Sequence, residues 1–303
     1  MLSIKTFFAL CLILLSSVFC LEANQHSQQE VNMSTQVNEK NSLAQCVLQG
    51  RLDVFRAYAK DSGLPNAVFK DNGKGSFFYS SGMDYAPCNG VIEDSDRIPT
   101  DQEIAQTVEF FKTRKLPFIW WTSAKKLEEE EFQFGGILTG IALDISQGIP
   151  AAPSSSPQLK VKIVQSDEDA RIFSLLAADL NAMSSEAAEQ FVSVNIAMMK
   201  KSEVVNFMAY LDDTPVGTAS LSTFPSSAGI WTLSTLPQYR KHGIGTALVH
   251  AALVEAKKRN HDQVMAILMP KGLAWGLFAK FGFKEAVKFP FYVYGASAEE
   301  LEK

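Results

Sequence analysis

Residues 240–245 read Arg-Lys-His-Gly-Ile-Gly, and a run of helix formers, TALVHAALVEAKK, follows directly. Two glycines at a helix start can do specific chemistry. The first N–H groups of a helix have no intrahelical acceptor, and the helix dipole makes that end partially positive. Glycine lets the chain turn sharply and lets an anion approach the main chain with no Cβ in the way. Arg240, Lys241 and His242 place basic groups beside it, and no Ser, Thr, Asp or Asn stands in front to cap the helix. The residue types fit a pyrophosphate cradle; a tight strand-to-helix turn with incidental basic residues is the alternative. The pattern is not the dinucleotide fingerprint, which needs a glycine where Leu248 stands, nor the P-loop, which needs Gly-Lys-Ser/Thr.

Such a turn works only if a strand leads into it and the helix behind it packs on a sheet. Ile244, Ala247, Leu248 and Ala251 fall at i, i+3, i+4 and i+7, which predicts an apolar stripe on a helix spanning about Gly245–Arg259. GIWTLST before it reads as a strand. The surrounding order is KVKIVQS (strand), helices at about Asp167–Asn181 and Ser185–Met199, and a hairpin of VVNFMAYL and VGTASLSTF turning at Asp212-Asp213-Thr214-Pro215. After the helix come QVMAILM (strand), GLAWGLFAKFG (helix) and FPFYVYG (strand). This is an α/β unit over residues 160–303.

Upstream, residues 43–146 read as a first folded unit. AQCVLQGRLDVFRAYAK is a helix, and Ala67–Phe69, Ser76–Tyr79 and Gly90–Glu93 are short strands. Thr100 with Glu103 has capping-box spacing before a helix bearing Ile104, Val108 and Phe111 on one face. LPFIWWTS and GILTGIALDI are strands, and Lys125–Glu131 is a charged, solvated helix face. Residues 147–159, rich in Pro, Ser and Ala, have the composition of a linker.

The chain has 303 residues, 47% hydrophobic and 20% charged, so two packed domains are expected. The net charge of −5 argues against nucleic acid as the main partner. Residues 1–20, MLSIKTFFALCLILLSSVFC, carry a single Lys before an apolar run too short to span a bilayer, and read as an export signal peptide, with an uncleaved anchor as the alternative. Export would make the protein periplasmic or secreted. Residues 21–42 are polar and read as a disordered tether holding an Asn32-Met33-Ser34 acceptor triplet. Cys46 and Cys88 then remain, either paired, contributing roughly 3–4 kcal/mol, or as separate buried thiols.

TLPQYRKHGIGTALVHAAL resembles the strand, loop and helix that bind coenzyme A in the GNAT acetyltransferase superfamily, and AWGLFAKFGFKE resembles that family's closing helix and strand. The resemblance covers about 160–295. The first unit, through APCNGVIEDSD, LPFIWWTS and GILTGIALDI, is similar to the degenerate amino-terminal half of bacterial two-domain GNAT proteins; it has no glycine loop, and no cofactor is expected there. The implied fold is a mixed, mostly antiparallel sheet flanked by helices, preceded by a degenerate GNAT-like α/β domain. The implied activity is direct acetyl transfer from acetyl-CoA to an unidentified amine acceptor, without a metal. Backbone N–H groups from Tyr239 to Ala247, that is Arg240, Lys241, His242, Gly243, Ile244, Gly245, Thr246 and Ala247 after Tyr239, would hold the pyrophosphate. Leu233, Ser234 and Thr235 would line the thioester, between strands splayed apart.

The chain departs from the family in its side-chain chemistry. Phe278 stands where the family often has the tyrosine that protonates the leaving thiolate, and GIWTLST carries no Glu to act as base. Tyr292 and Tyr294 are substitute acids by type, or else aromatic core residues. Trp231, Trp275, Met198, Met199 and Met208 suit either a substrate pocket or the core. These departures keep a second reading in view: an exported, non-catalytic binding protein that retains the fold and the coenzyme A groove.

Overall fold

The computed structural model describes residues 41–93, 97–124, 126–127, 131–151, 158–269 and 274–294. The export signal, most of the tether, the greater part of the charged 125–131 stretch and the middle of the linker lie outside them. The described residues from Leu43 onward form one compact unit.

In chain order the elements are α1 (41–61), β1 (Val68–Asp71), β2 (Ser76–Ser80), β3 (Asn89–Glu93), α2 (Asp101–Arg114), β4 (Ile119–Trp121) and β5 (Phe132–Asp144). After the linker come β6 (Leu159–Ile163), α3 (Asp167–Leu180), α4 (Ser185–Lys200), β7 (Val204–Leu211), β8 (Thr214–Phe224) and β9 (Ser227–Thr235). Then follow α5 (Ile244–Lys258), β10 (Gln263–Leu268), α6 (Trp275–Lys280) and β11 (Lys284–Tyr294). The expected α/β class and most expected elements are present. The Asp212-Asp213 turn takes positive φ at both residues, 47° and 66°, as a tight hairpin requires.

Among the described residues, all strands join one 11-stranded sheet, ordered β1-β2-β3-β4-β11-β5-β10-β9-β8-β7-β6. Only β3–β4 and β9–β10 pair in parallel, and each parallel pair is bridged by a crossover helix, α2 or α5. The first half thus runs as three antiparallel strands, a crossover helix and a fourth strand, and the second as four antiparallel strands, a crossover helix and a fifth. The last strands are exchanged. β5 of the first half pairs with β10 of the second, Ala142 opposite Met265, while β11 of the second half pairs with β4 of the first, Tyr292 opposite Trp120. β5 and β11 then pair with each other along most of their length. The linker therefore separates two halves in sequence that share a single sheet in space.

Helices cover both faces. α5 packs Ile244, Leu248, Val249, Ala252, Leu253 and Ala256 against β7, β8 and β9. This is one step around the helix from the stripe expected from spacing, since Ala247 and Ala251 are only half-buried. α1 places Leu43, Val47 and Leu52 on β4, β5, β10 and β11, and α3 and α4 pack on β7 through Phe173, Phe191 and Met198. α2 seats Ile104 and Phe111 on Phe78, Phe118 and Trp120. Full burial of one such large apolar side chain stabilises by about 1.5–3 kcal/mol, so these faces hold the layers together.

Cys46 and Cys88 are separate thiols. Burial pushes their pKa values up, to about 11 for Cys46 and about 12 for Cys88.

Candidate functional site

The glycine turn lies where the sequence puts it, between β9 and α5. Gly243 is the residue before the first helical turn, with φ of 80°, and no side chain caps the helix. The first backbone bond of α5 runs from Ala247 N–H to Gly243 C=O over 2.9 Å. The N–H groups of Ile244, Gly245 and Thr246 precede it and have no intrahelical acceptor. A Cβ built on Gly243 would meet nothing within 4 Å, so the space in front of the helix is open. Glycine serves here for its left-handed backbone conformation. At Gly217 the need is close approach: a Cβ there would fall 2.9 Å from Ile244 Cγ2 and Ser234 O, so its absence lets α5 start low on the sheet.

A cavity of about 540 Å³ opens at this point. Leu233, Ser234 and Thr235 from the end of β9, Arg240, Lys241, Gly243, Ile244, Gly245 and Thr246 from the turn, and Gly276, Leu277 and Lys280 from α6 line it. With Tyr239, which also lines it, ten of the residues expected to hold a coenzyme thus surround one space. Two expected residues do not line it. His242 turns its Nδ1 to the carbonyls of Arg240, at 2.9 Å, and Tyr239, at 3.2 Å, and so braces the turn itself. Ala247 lies one turn into α5, behind the mouth. Arg240 Nε donates to Thr235 O over 3.3 Å, tying the turn to the end of β9.

The sheet is open beside the cavity. β9 and β10 pair only at Met265↔Gly229 and Ala266↔Ile230, although both continue past those positions. The strands diverge toward their carboxyl ends, as the splay expectation requires. β9 is also bulged: from Ser220 to Thr218, β8 moves two residues while β9 moves three, from Trp231 to Ser234. Thr232 sits in the bulge with φ of 46°.

The candidate acids are elsewhere. Phe278 is 2% exposed and stacks edge-on against Phe283 in the core beneath α5. Tyr292 is buried on β11 opposite Trp120, in the core of the first half, because the strand exchange carries β11 across the molecule. Tyr294 packs on Phe118 and Phe132 and donates to Glu131 Oε2 over 2.7 Å. None of the three lines the cavity. Met198 and Met208 are core residues, Met199 packs beside them, and Trp231 donates its indole N–H to Ser222 Oγ over 2.9 Å. Trp275 is 43% exposed on α6 and outside the lining.

Lys280, to which the sequence assigns no role, adds a third cation to the cavity wall. Its signal was available: Gly276 and Lys280 are four residues apart, on one face of the closing helix.

At the matching place in the first half, the start of α2 is filled by the chain itself. Thr100 accepts from Glu103 N–H, and the Glu103 carboxylate accepts from Thr100 N–H, completing a capping box. Arg97 pairs with that carboxylate and with buried Glu93. The donors that stay open at α5 are internally satisfied at α2.

A glycine-opened crossover helix beside two diverging parallel strands, in a mixed, mostly antiparallel sheet flanked by helices, defines an α/β protein of the GNAT fold. Residues 171–283 match the Acetyltransferase (GNAT) family. In fold, the chain is similar to a GCN5-related N-acetyltransferase from Kribbella flavida, at 14% identity over 84% of this chain and 95% of that one, with a TM-score of 0.57. It is also similar to a GCN5-related N-acetyltransferase from Sphaerobacter thermophilus, at 13% identity over 72% of this chain and 76% of that one, TM-score 0.54. A functionally unknown conserved protein from Staphylococcus epidermidis aligns at 15% identity over 75% and 92%, TM-score 0.53. The likeness runs through both halves and concerns the fold. No curated protein matches the chain in sequence.

Proposed function

We propose that the protein is an exported N-acetyltransferase that moves an acetyl group directly from acetyl-CoA to an amine. The observation that carries this reading is the uncapped start of α5, open in front of Gly243 and edged by Arg240, Lys241 and Lys280. A pyrophosphate suits it by charge and by the free N–H groups. The residues present fit the co-substrate: an anion site at the helix, and an apolar-edged gap between β9 and β10 for the pantetheine arm, whose amides can bond like a partial strand. In the transfer, the amine nitrogen bonds to the acetyl carbon, the carbon–sulfur bond breaks, the amine gives up a proton and the thiolate takes one. Donors aimed at the developing oxyanion in such reactions commonly contribute about 3 kcal/mol. Export rests on residues 1–20, outside the described residues.

A second reading has its own observation. Phe278 and Tyr292 point into cores, Tyr294 at the edge of one commits its hydroxyl to Glu131, and β9 carries no carboxylate. A protein that binds acyl-CoA without turning it over meets both facts. Calorimetric titration of residues 24–303 with acetyl-CoA, beside Gly243→Asp, tests the cofactor: binding by the parent and its loss in the variant are expected. No binding by the folded parent overturns the assignment. Thiol release that depends on an added amine then separates the enzyme from the binding protein.

A further inference from the structure

The bulge in β9 is held by a line of buried side chains that starts in the helix layer on the sheet, at α3. Ser174 on α3 donates to Ala170 O over 2.7 Å. Asn195 on α4 donates to Ser174 Oγ over 3.1 Å and to Phe191 O over 3.0 Å. Asn206 on β7 donates to Asn195 Oδ1 over 3.3 Å, and Ser220 on β8 donates to Asn206 Oδ1 over 2.7 Å. Ser220 Oγ then lies 2.6 Å from Thr232 Oγ1. Because the Ser220 proton is committed to Asn206, Thr232 must be the donor in that last contact. Thr218 Oγ1 adds a second bond, to the Thr232 carbonyl, over 3.0 Å. Ser174, Asn195, Asn206, Thr218 and Ser220 are all at most 2% exposed.

Such a line has a cost unless every member is satisfied, and here each donor has an acceptor. Its end point explains its presence. Thr232 is β-branched and stands at φ of 46°, a conformation such residues avoid. It persists only where neighbours over-determine it. The neighbours are Ser220 and Thr218, one on its hydroxyl and one on its carbonyl. The bulge comes directly after the last β9–β10 pair, at Ile230, and directly before Leu233, Ser234 and Thr235 on the cavity wall.

We infer that Asn206 and Ser220 are positioning residues: they lock Thr232 in its left-handed conformation and so hold β9 away from β10, keeping open the cleft that, on the function proposed above, admits the acyl-CoA arm. Without the lock, Thr232 relaxes to an extended conformation and the end of β9 closes toward β10.

The test uses Ser220→Ala, Thr232→Gly and the double variant. Glycine takes positive φ without strain, so the bulge in Thr232→Gly no longer needs Ser220. Amide hydrogen exchange over 230–235 and 264–268, without ligand, reads the bulge directly. Ser220→Ala is expected to change exchange there at least tenfold, and the double variant to return within threefold of Thr232→Gly alone. Acetyl-CoA titration follows the same order, with at least tenfold weaker binding in Ser220→Ala and recovery in the double variant. A general loss of packing would not be rescued by glycine at 232. Unchanged exchange in Ser220→Ala, or no rescue by Thr232→Gly, overturns the inference. If exchange behaves as expected but the parent binds no acetyl-CoA, the lock stands and the proposed function falls. Asn206→Asp, which keeps the shape but places a charge beside Ser220, is expected to perturb the same two segments.

Discussion

Thr100 and Glu103 close the start of α2 on each other: the Thr100 N–H donates to Glu103 Oε2 over 2.8 Å, and the Glu103 N–H donates to Thr100 Oγ1 over 3.3 Å. Gly243 leaves the corresponding start of α5 without any such partner. The two crossover helices occupy equivalent places in the two halves, so this difference in three residues separates a sealed helix end from an open one. Thr100→Ala should cost about 1 kcal/mol, read as a lower midpoint in urea unfolding. The Thr100 backbone N–H, then its hydroxyl and Arg97, hold the Glu103 carboxyl below its ordinary value. A depressed folded pKa means that this stabilisation is present above the unfolded value and is lost as pH falls through the folded one. Glu103→Gln should lack that part of the acid dependence, measured by unfolding at neutral pH and again below the ordinary carboxylate range.

Lys280 faces the same cavity as Arg240 and Lys241 from the opposite element. On the proposed function, Lys280→Gln weakens acetyl-CoA binding by about two- to fivefold, the effect of one exposed ion pair. The difference between parent and variant should shrink as salt is raised, because exposed charges are screened. Calorimetry at two ionic strengths measures both. An unchanged affinity at low salt would remove Lys280 from the site.

Phe278→Tyr would restore the residue type that the family uses as an acid, but in the core against Phe283. A hydroxyl buried there without a partner should cost about 1–3 kcal/mol, with no gain in thiol release. A variant of unchanged stability and raised turnover would mean that side chain 278 reaches the cavity.

β5 and β11 are exchanged between the halves, so neither half contains the strand that completes its own part of the sheet. Residues 41–151 and 158–303 made separately should each be aggregation-prone or unfolded, since each would expose an unpaired sheet edge where the missing strand belongs. Co-expressed, they should form a stable complex with the circular dichroism of the intact chain. Independent, cooperative unfolding of either piece would contradict this.

Cys46 and Cys88 have thiols pushed up to about 11 and about 12 by burial. Since the thiolate is the reactive form, alkylation by iodoacetamide near pH 8 should be slow in the native protein and fast in urea. Both should react fully in unfolded protein without reductant, as expected of unpaired thiols.

Much of this molecule is legible locally. The Arg240–Gly245 turn, the strand before it and the existence of α5 follow from spacing, with the helix's buried face displaced by one step, because a helix start, a strand and an amphipathic helix are each decided by residues a few positions apart. The Thr100–Glu103 cap and the Asp212-Asp213 turn were readable for the same reason. Lys280 needed one further step, the helical spacing from Gly276.

What the sequence by itself determined, then, is the set of elements and the open helix end, since caps, turns and periodicity are short-range. Only the tertiary structure decided where β5 and β11 insert. Pairing partners more than a hundred residues apart are chosen by the fit of whole faces, and two apolar strands of similar pattern look alike to any local test. That choice carried Tyr292 into the first half's core and Tyr294 to its edge, away from the cavity. It is also at this level that Ser174, Asn195, Asn206 and Ser220, unremarkable polar residues in the chain, become one buried line ending on Thr232.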